Sequence, residues 1–149
     1  FLDDPTAGVT PAARARFWSL IRDLAGQGKT MFVTTHNMDE AEQCQRIALM
    51  RTGRIVALDT PAHLKRVTFP APLYEIDLGP AGGYGQIRAL RERPGLAYFE
   101  PYGLRFHAAF EDSSTGVKLK EELGRDFRLA EIAPSVEDVF IRTVEGRAE

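Results

Sequence analysis

The sequence of 149 residues predicts a mixed α/β fold in two units. Helical and extended patterns alternate through residues 1–68, which is typical of an α/β layer. Two prolines within Phe69-Pro70-Ala71-Pro72 interrupt this pattern and predict a domain boundary. Residues 69–149 then follow the order βαββαβ, which predicts a small α+β sandwich of the ferredoxin-like type.

The composition is that of an average soluble globular protein, with 44% hydrophobic and 27% charged residues. It excludes a disordered chain and a disulfide scaffold, and the single cysteine, Cys44, fits a reducing compartment. No apolar run approaches the ~18 residues that a membrane span needs. Because the net charge of −2 provides no broad attraction to nucleic acid, we expect no nucleic-acid partner.

In the first unit, polar residues and glycines mark where the elements begin and end. Thr10 followed by Pro11 predicts a helix N-terminus. Asn37 with Glu40 three residues later predicts a capping box for a second, short helix. The remaining predictions are apolar helix positions at Phe17, Leu20, Ile21 and Leu24, a strand over 30–35, a hairpin over 47–58 turning at Thr52-Gly53, and a short helix over 61–66.

In the second unit, the apolar spacing changes repeatedly between the periods of strand and helix. Alternating residues over 104–110 predict a strand with one apolar face. Ser135 and Asp138 predict a capping box for a last helix, whose buried stripe includes Val136 and Val139. The other predicted strands are 74–78, 96–100 (with a turn over 101–103) and 127–132, and the other predicted helices are 84–91 and 117–123.

Two neighbouring carboxylates, Asp3 and Asp4, follow apolar residues that indicate the end of a buried strand. His36 follows the next predicted strand. Because ligands of α/β sheets bind at the carboxyl ends of the strands, we expect these three side chains in one crevice. One carboxylate can sit in the outer shell of Mg²⁺ while its neighbour orients an attacking water. The histidine can donate a hydrogen bond to a phosphate oxygen.

Ordered motifs around these residues resemble the nucleotide-binding domain of ATP-binding-cassette (ABC) transporters. Phe1-Leu2-Asp3-Asp4-Pro5 is similar to the end of the Walker B strand, and His36-Asn37-Met38-Asp39-Glu40-Ala41 to the switch histidine and its helix. The resemblance covers residues 1–66 and implies that residues 1–68 are the C-terminal portion of a P-loop ATPase domain. Residues 69–149 are similar to the accessory domain that follows the ATPase in drug- and antibiotic-export subunits.

The resemblance implies a role for each matching residue. Asp3 corresponds to the aspartate that holds Mg²⁺ through water, Asp4 stands where the family has a catalytic glutamate, and His36 corresponds to the histidine that senses the γ-phosphate. The D-loop, through which two ATPase domains communicate around ATP, corresponds to Ala7, Gly8, Val9 and Thr10. ATP and Mg²⁺ are the implied ligands of the intact protein.

Two positions depart from the family pattern. The Asp4 side chain is one methylene shorter than glutamate, so its carboxylate falls about 1.5 Å short, and a misplacement of ~1 Å can cost ~100-fold in rate. Thr10 preserves the helix N-cap that an aspartate supplies, but not its charge. These departures predict weakened hydrolysis in the intact protein, with ATP binding less affected.

The chain contains no phosphate-loop motif, no signature motif and no Gln loop, and it starts within a strand. We therefore expect it to be part of a longer protein and, by itself, to bind ATP weakly and to be inactive as an ATPase. For the intact protein, the resemblance implies a cytoplasmic location at the inner face of the cell membrane. The implied partners are a membrane-spanning permease subunit and a second ATPase subunit.

Two other interpretations remain open at this stage. In one, the departures at Asp4 and Thr10 indicate decay, and the chain is a non-catalytic regulatory or protein-interaction module. In the other, Asp39 joins Asp3, Asp4 and His36 in a metal-dependent phosphoesterase. His63 and His107 are expected to be ordinary surface or strand residues, and Trp18 is expected to have a half-buried packing role or to face a partner.

Overall fold

The computed structural model describes residues 1–79, 82–123 and 127–145, and they form a mixed α/β structure. The first group of elements is β1 (Leu2–Asp3), α1 (Pro11–Gly26), β2 (Val33–Thr34), α2 (Met38–Ala41), β3 (Ile47–Arg51), β4 (Arg54–Asp59) and α3 (Pro61–Thr68). The second group is β5 (Leu73–Asp77), α4 (Tyr84–Arg91), β6 (Leu96–Tyr102), β7 (Arg105–Phe110), α5 (Ser113–Leu123), β8 (Arg128–Ile132) and α6 (Val136–Phe140), followed by a π-helical segment, π1 (Ile141–Glu145).

A parallel β1–α1–β2 unit opens the structure. Leu2 pairs with Val33 in parallel register, and α1 forms the crossover between the two strands. The predicted start of α1 is confirmed, because the Thr10 side chain accepts a hydrogen bond from the Ala13 amide at 3.3 Å. Parallel pairing brings the carboxyl ends of β1 and β2 to the same edge.

The buried face of α1 differs from the apolar set that predicted the helix. Trp18 and Ile21 are buried, whereas Leu20 is 54% exposed. Trp18 therefore packs in the interior, more deeply than the half-buried position expected for it.

An antiparallel hairpin of β3 and β4 follows, as the sequence predicts. Thr52 and Gly53 at its turn both have positive φ, 47° and 75°, which is the backbone of a type I′ turn. The next helix, α3, is capped by the Thr60 side chain, which accepts a hydrogen bond from the His63 amide.

The second group of elements forms a four-stranded antiparallel sheet with the strand order β6-β7-β5-β8. Helix α4 and apolar residues of the strands share a cluster on one face. Its buried members are Tyr74, Ile76, Leu78, Leu90, Phe99, Ala108 and Phe110. The opposite face joins a second cluster, which includes Leu73 and Ala109 of the sheet, Ile47 and Leu49 of the hairpin, and Val136 and Val139 of α6.

Strand β7 therefore has two covered faces, and the expectation of one apolar face is wrong. His107 and Ala109 are only 4% and 2% exposed, because α6 covers the face that they occupy. The predicted turn over 101–103 is also misplaced. Pro101 and Tyr102 remain paired in β6, and the chain turns at residues 103–104.

The buried His107 contacts the last helix. Its Nδ1 lies 2.7 Å from Oδ1 of Asp138, which is fully buried. His107 is a residue of strand β7, one of the two positions expected for it, but it is buried and paired. The predicted capping box is confirmed, since Asp138 also bonds the Ser135 amide and hydroxyl. At the start of the same helix, the Val136 amide donates to a Glu42 carboxylate oxygen at 2.8 Å. The boundary at 69–72 stays a prediction, and one apolar cluster contains residues from both sides of it.

We predict that Asp138→Ala lowers the free energy of unfolding of this chain by about 3 kcal/mol, because it removes the helix cap and leaves Nδ1 of the buried His107 without its partner. Chemical denaturation monitored by circular dichroism measures the change. The control Glu92→Gln removes an exposed ion pair with Arg88 and should change stability by less than about 0.5 kcal/mol. Equal effects of the two substitutions would contradict the structural role of Asp138.

Candidate functional site

The carboxyl ends of β1 and β2 bring two of the predicted site residues into contact. The amide of Asp4 donates to the Thr34 carbonyl at 3.0 Å, which extends the strand pairing by one residue. Beyond it, His36 Nδ1 lies 3.1 Å from Oδ2 of Asp4. The His36 side chain is 79% exposed and that of Asp4 38% exposed, so both are open to a ligand.

Asp3 lies at the same edge but makes a separate contact. Its carboxylate accepts a hydrogen bond from the Thr34 hydroxyl, and the residue is exposed. An exposed carboxylate fits a Mg²⁺ ion held through water, since this ion prefers oxygen ligands and keeps several of its waters. No group of three or more His, Cys, Asp or Glu in residues 1–79, 82–123 and 127–145 is arranged to hold a metal. The four residues of the phosphoesterase interpretation are therefore not assembled into such a group.

The backbone at Asp4 adopts a left-handed conformation, with φ at 41°. Aspartate is enriched several-fold at such positions because its short polar side chain tolerates them better than longer ones. The departure from the family glutamate therefore suits the local backbone. A longer side chain at this position would extend the carboxylate but would be less favourable for the conformation.

The segment that resembles a D-loop lies on the surface beside this pair. Ala7, Gly8, Val9 and Thr10 are exposed, and Gly8 has a φ of 70° that glycine accommodates without strain. The preceding Thr6, in contrast, is only 3% exposed. The loop therefore presents these four residues outward while Thr6 anchors it.

Thr6 is held in place by Glu40, whose side chain is 1% exposed. The Thr6 hydroxyl donates to Glu40 Oε1 at 2.5 Å, and the Thr35 hydroxyl donates to Oε2 at 2.9 Å. Arg14 Nε lies 3.0 Å from Oε1 and forms an ion pair. One buried carboxylate thus connects the loop after β1, helix α1 and the residue that follows β2.

The capping box predicted for Asn37 and Glu40 is wrong, because Glu40 points into this network instead. The Asn37 side-chain oxygen accepts a hydrogen bond from the Asp39 backbone amide at 3.0 Å. The backbone amide of Asn37 donates a hydrogen bond to the Thr35 hydroxyl. The importance of Glu40 does not show in the sequence. A glutamate in the first turn of a helix is ordinary there, and its partners Thr6 and Arg14 are distant along the chain.

The pair and the network line one small cavity of about 110 Å³. Asp4 and His36, two of the three side chains predicted to share one crevice, line this cavity together with the buried Glu40. Asp3, the third of them, does not line it. The lining residues include Asp4, Thr6, Gly8, Arg14, His36 and Glu40. This cavity can accept a small polar group, such as part of a phosphate, next to an exposed carboxylate–imidazole pair.

Cys44 lies one helical turn after Glu40, and its thiol is 3.8 Å from the Glu40 carbonyl oxygen. Burial raises the pKa of the Cys44 thiol above its ordinary value, and the negative charge of Glu40 raises this pKa further. Because the thiolate is the reactive form, the Cys44 thiol is less reactive at neutral pH than an ordinary exposed cysteine.

A βαβ edge that carries carboxylates and a histidine belongs to the class of sites that α/β nucleotide-binding proteins use. Nod factor export ATP-binding protein I of Rhizobium leguminosarum bv. viciae is 35% identical over 142 residues, which are 95% of this chain and 44% of that protein. The probable multidrug ABC transporter ATP-binding protein YbhF of Escherichia coli (strain K12) is 51% identical over 65 residues, which are 44% of this chain and 11% of that protein.

A fluoroquinolones export ATP-binding protein of Mycobacterium tuberculosis is 47% identical over 66 residues, which are 44% of this chain and 22% of that protein. No family model matches the chain. The homologues are ATP-binding proteins of ABC transporters, and the chain matches their C-terminal part, which confirms the resemblance seen in the motifs. The chain spans less than half the length of these relatives.

None of the helices in the described ranges is long and apolar enough to span a membrane.

We predict that Glu40→Ala destabilises the chain by about 3 kcal/mol, because it leaves Arg14 and two threonine hydroxyls without their shared acceptor. The adjacent Asp39→Ala removes an exposed carboxylate and should cost less than about 1 kcal/mol. Urea denaturation of both variants measures the difference. A Glu40→Ala variant as stable as the unsubstituted chain would show that the network does not hold the site together.

Alkylation of Cys44 provides an independent measure of the Glu40 charge. In Glu40→Gln, the pKa of the thiol should fall, so the midpoint of the iodoacetamide rate against pH moves to lower pH. A general loosening of the fold would also lower this pKa by exposing the thiol, but it would raise the plateau of the curve as well, so an unchanged plateau identifies the loss of the Glu40 charge. Asp39→Asn is the control and should leave the midpoint unchanged, and an unchanged midpoint in Glu40→Gln would disprove the electrostatic contact.

Proposed function

We propose that the intact protein is the ATP-binding subunit of an ABC-type exporter, in which hydrolysis of ATP drives transport through a membrane permease. The observation that carries the proposal is the contact of Asp4 and His36 at 3.1 Å, at the carboxyl ends of two paired parallel strands. The printed names of the relatives, which are export ATP-binding proteins, support the same function.

Asp3, Asp4 and His36, at the carboxyl ends of β1 and β2, each have a chemical role in this proposal. Asp4 accepts a proton from the attacking water and is the catalytic residue, and His36 orients the Asp4 carboxylate and donates to a phosphate oxygen. Asp3 holds Mg²⁺ through water. Mg²⁺-ATP supplies the transferable phosphoryl group, whose charge the ion neutralises. The exposure of Asp4 and His36 supports these roles, since both can reach a ligand.

The partners follow from the same proposal. The exposed loop of Ala7, Gly8, Val9 and Thr10 contacts a second ATPase subunit, identical or different, when two subunits enclose ATP. A membrane-spanning permease is the other partner, so the protein works at the cytoplasmic face of the cell membrane.

We further propose that residues 1–68 belong to the ATPase domain and that residues 69–149 form a ferredoxin-like accessory domain. The strand order β6-β7-β5-β8, with antiparallel neighbours throughout, supports this assignment. Helix α6 connects the two units, because it bonds His107 of the sheet and Glu42 after α2. A change in the position of the sheet therefore has a direct physical route to the segment next to His36.

In the intact protein, we predict that Asp4→Glu raises kcat at least about tenfold, because the longer side chain moves the carboxylate closer to the water that it activates. His36→Ala should lower kcat by about 100-fold with a smaller change in ATP affinity. Steady-state phosphate release measures both, and His63→Ala, outside the site, is the matched control. If Asp4→Glu turned over ATP no faster, the proposed effect of the shorter side chain would be wrong.

The experiment also separates the proposal from the non-catalytic interpretation. If the unsubstituted intact protein hydrolyses ATP no faster than His36→Ala, the protein is a regulatory or interaction module with a decayed ATPase part. This chain by itself should show no ATPase activity above background. Robust turnover by it would contradict the expectation that it contains only part of the ATPase site.

A further inference from the structure

A cavity of about 460 Å³ lies along the free edge of the four-stranded sheet, away from the site described above. Five consecutive residues of the edge strand β6, 96–100, line it. The remaining lining residues are Arg91 at the end of α4 and Ile141 and Arg142 of π1. Because β7 is the only neighbour of β6 among the described strands, about half of the backbone groups of β6 are available for pairing with another strand.

Two guanidinium groups lie on opposite faces of this edge. Arg142 stacks over the rings of Phe69 and Tyr98, at 4.9 and 5.9 Å from their centroids, on the face covered by α6. Arg91 ends α4, which packs on the other face through Leu90. Among the side chains that the structure describes, neither guanidinium has a carboxylate within 4.0 Å.

The charge of Arg142 is incompletely compensated. Burial lowers the pKa of its guanidinium, which means that desolvation disfavours the charged form. A negative charge brought to this side chain would relieve that cost. Arg91 is exposed and adds a second positive charge to the same cavity. Glu100 lines the other end of the groove and disfavours a second negative charge there.

We propose that this groove binds an acidic peptide in an extended conformation, which adds to β6 as a fifth strand and pairs its carboxylates with Arg91 and Arg142. Successive side chains of an extended peptide point to opposite faces of the sheet, so two adjacent acidic residues meet the two guanidiniums. Repulsion by Glu100 sets the register, with the acidic pair opposite residues 96–98. The site is independent of the proposed ATPase activity.

The length of the groove favours a peptide over a free small anion. Five strand residues extend over roughly 17 Å, which is far longer than a single carboxylate or phosphate group. A second copy of the chain is a poorer occupant of the same edge. In an antiparallel pair of β6 strands it would bring a second Glu100 and Pro101, whose nitrogen carries no hydrogen to donate.

The test uses an eight-residue fluorescein-labelled peptide with two adjacent glutamates between Thr-Val and Val-Thr flanks, and fluorescence anisotropy with this chain. We expect saturable binding that weakens about tenfold in Arg91→Gln and in Arg142→Gln. Arg142→Lys keeps the charge but not the planar guanidinium group, so its peptide binding should weaken less than that of Arg142→Gln. Arg88→Gln, on the same helix but paired with Glu92, is the matched control and should bind as the unsubstituted chain.

Three results would overturn the proposal. The first is binding that does not depend on charge. It would be seen as equal binding of the same peptide with glutamines in place of the two glutamates, or as unchanged binding in Arg91→Gln, whose exposed position does not endanger the fold. The second is displacement of the peptide by free glutarate at equal concentration, which would indicate a small-anion site. The third is self-association of the chain by sedimentation without peptide binding, which would assign the edge to a second copy.

Discussion

The buried carboxylate of Glu40 is the constraint on which the candidate site depends. A charge that is 1% exposed is tolerated only when it is paired or hydrogen-bonded, and Arg14, Thr6 and Thr35 provide these contacts. These partners belong to α1, to the loop after β1 and to the end of β2. The same contacts that neutralise Glu40 therefore bring together the segments that carry Asp4 and His36.

A second polar contact links the sheet of the second group of elements to this region. Asp138 is fully buried, caps α6 through Ser135 and pairs with His107 of β7. The other end of the connection is Glu42, which accepts from the Val136 amide and pairs with Lys65 of α3 at 2.6 Å. Since Glu42 directly follows α2, the last helix is held next to the segment that begins at His36. Stability and site geometry thus depend on the same few buried or half-buried carboxylates.

The sequence could predict what local chemistry determines. Thr10, Ser135 and the Thr52-Gly53 turn act through neighbours within four residues, and the structure has the elements that they predict. The proximity of Asp4 and His36 also follows, because parallel strands align their carboxyl ends. The burial of Glu40 and His107 could not be predicted in the same way. Their partners lie between 5 and 34 residues away in the chain, and only tertiary packing selects them.

Single-turnover hydrolysis of Mg²⁺-ATP by the intact protein carrying Asp4→Asn tests the central claim most directly, because it separates the chemical step from binding. Asparagine also tolerates the left-handed backbone at this position, so the fold should be retained. We expect ATP affinity to change less than about threefold while the rate of phosphate-bond cleavage falls by about 100-fold. Cleavage at the unsubstituted rate would show that Asp4 is not the catalytic carboxylate.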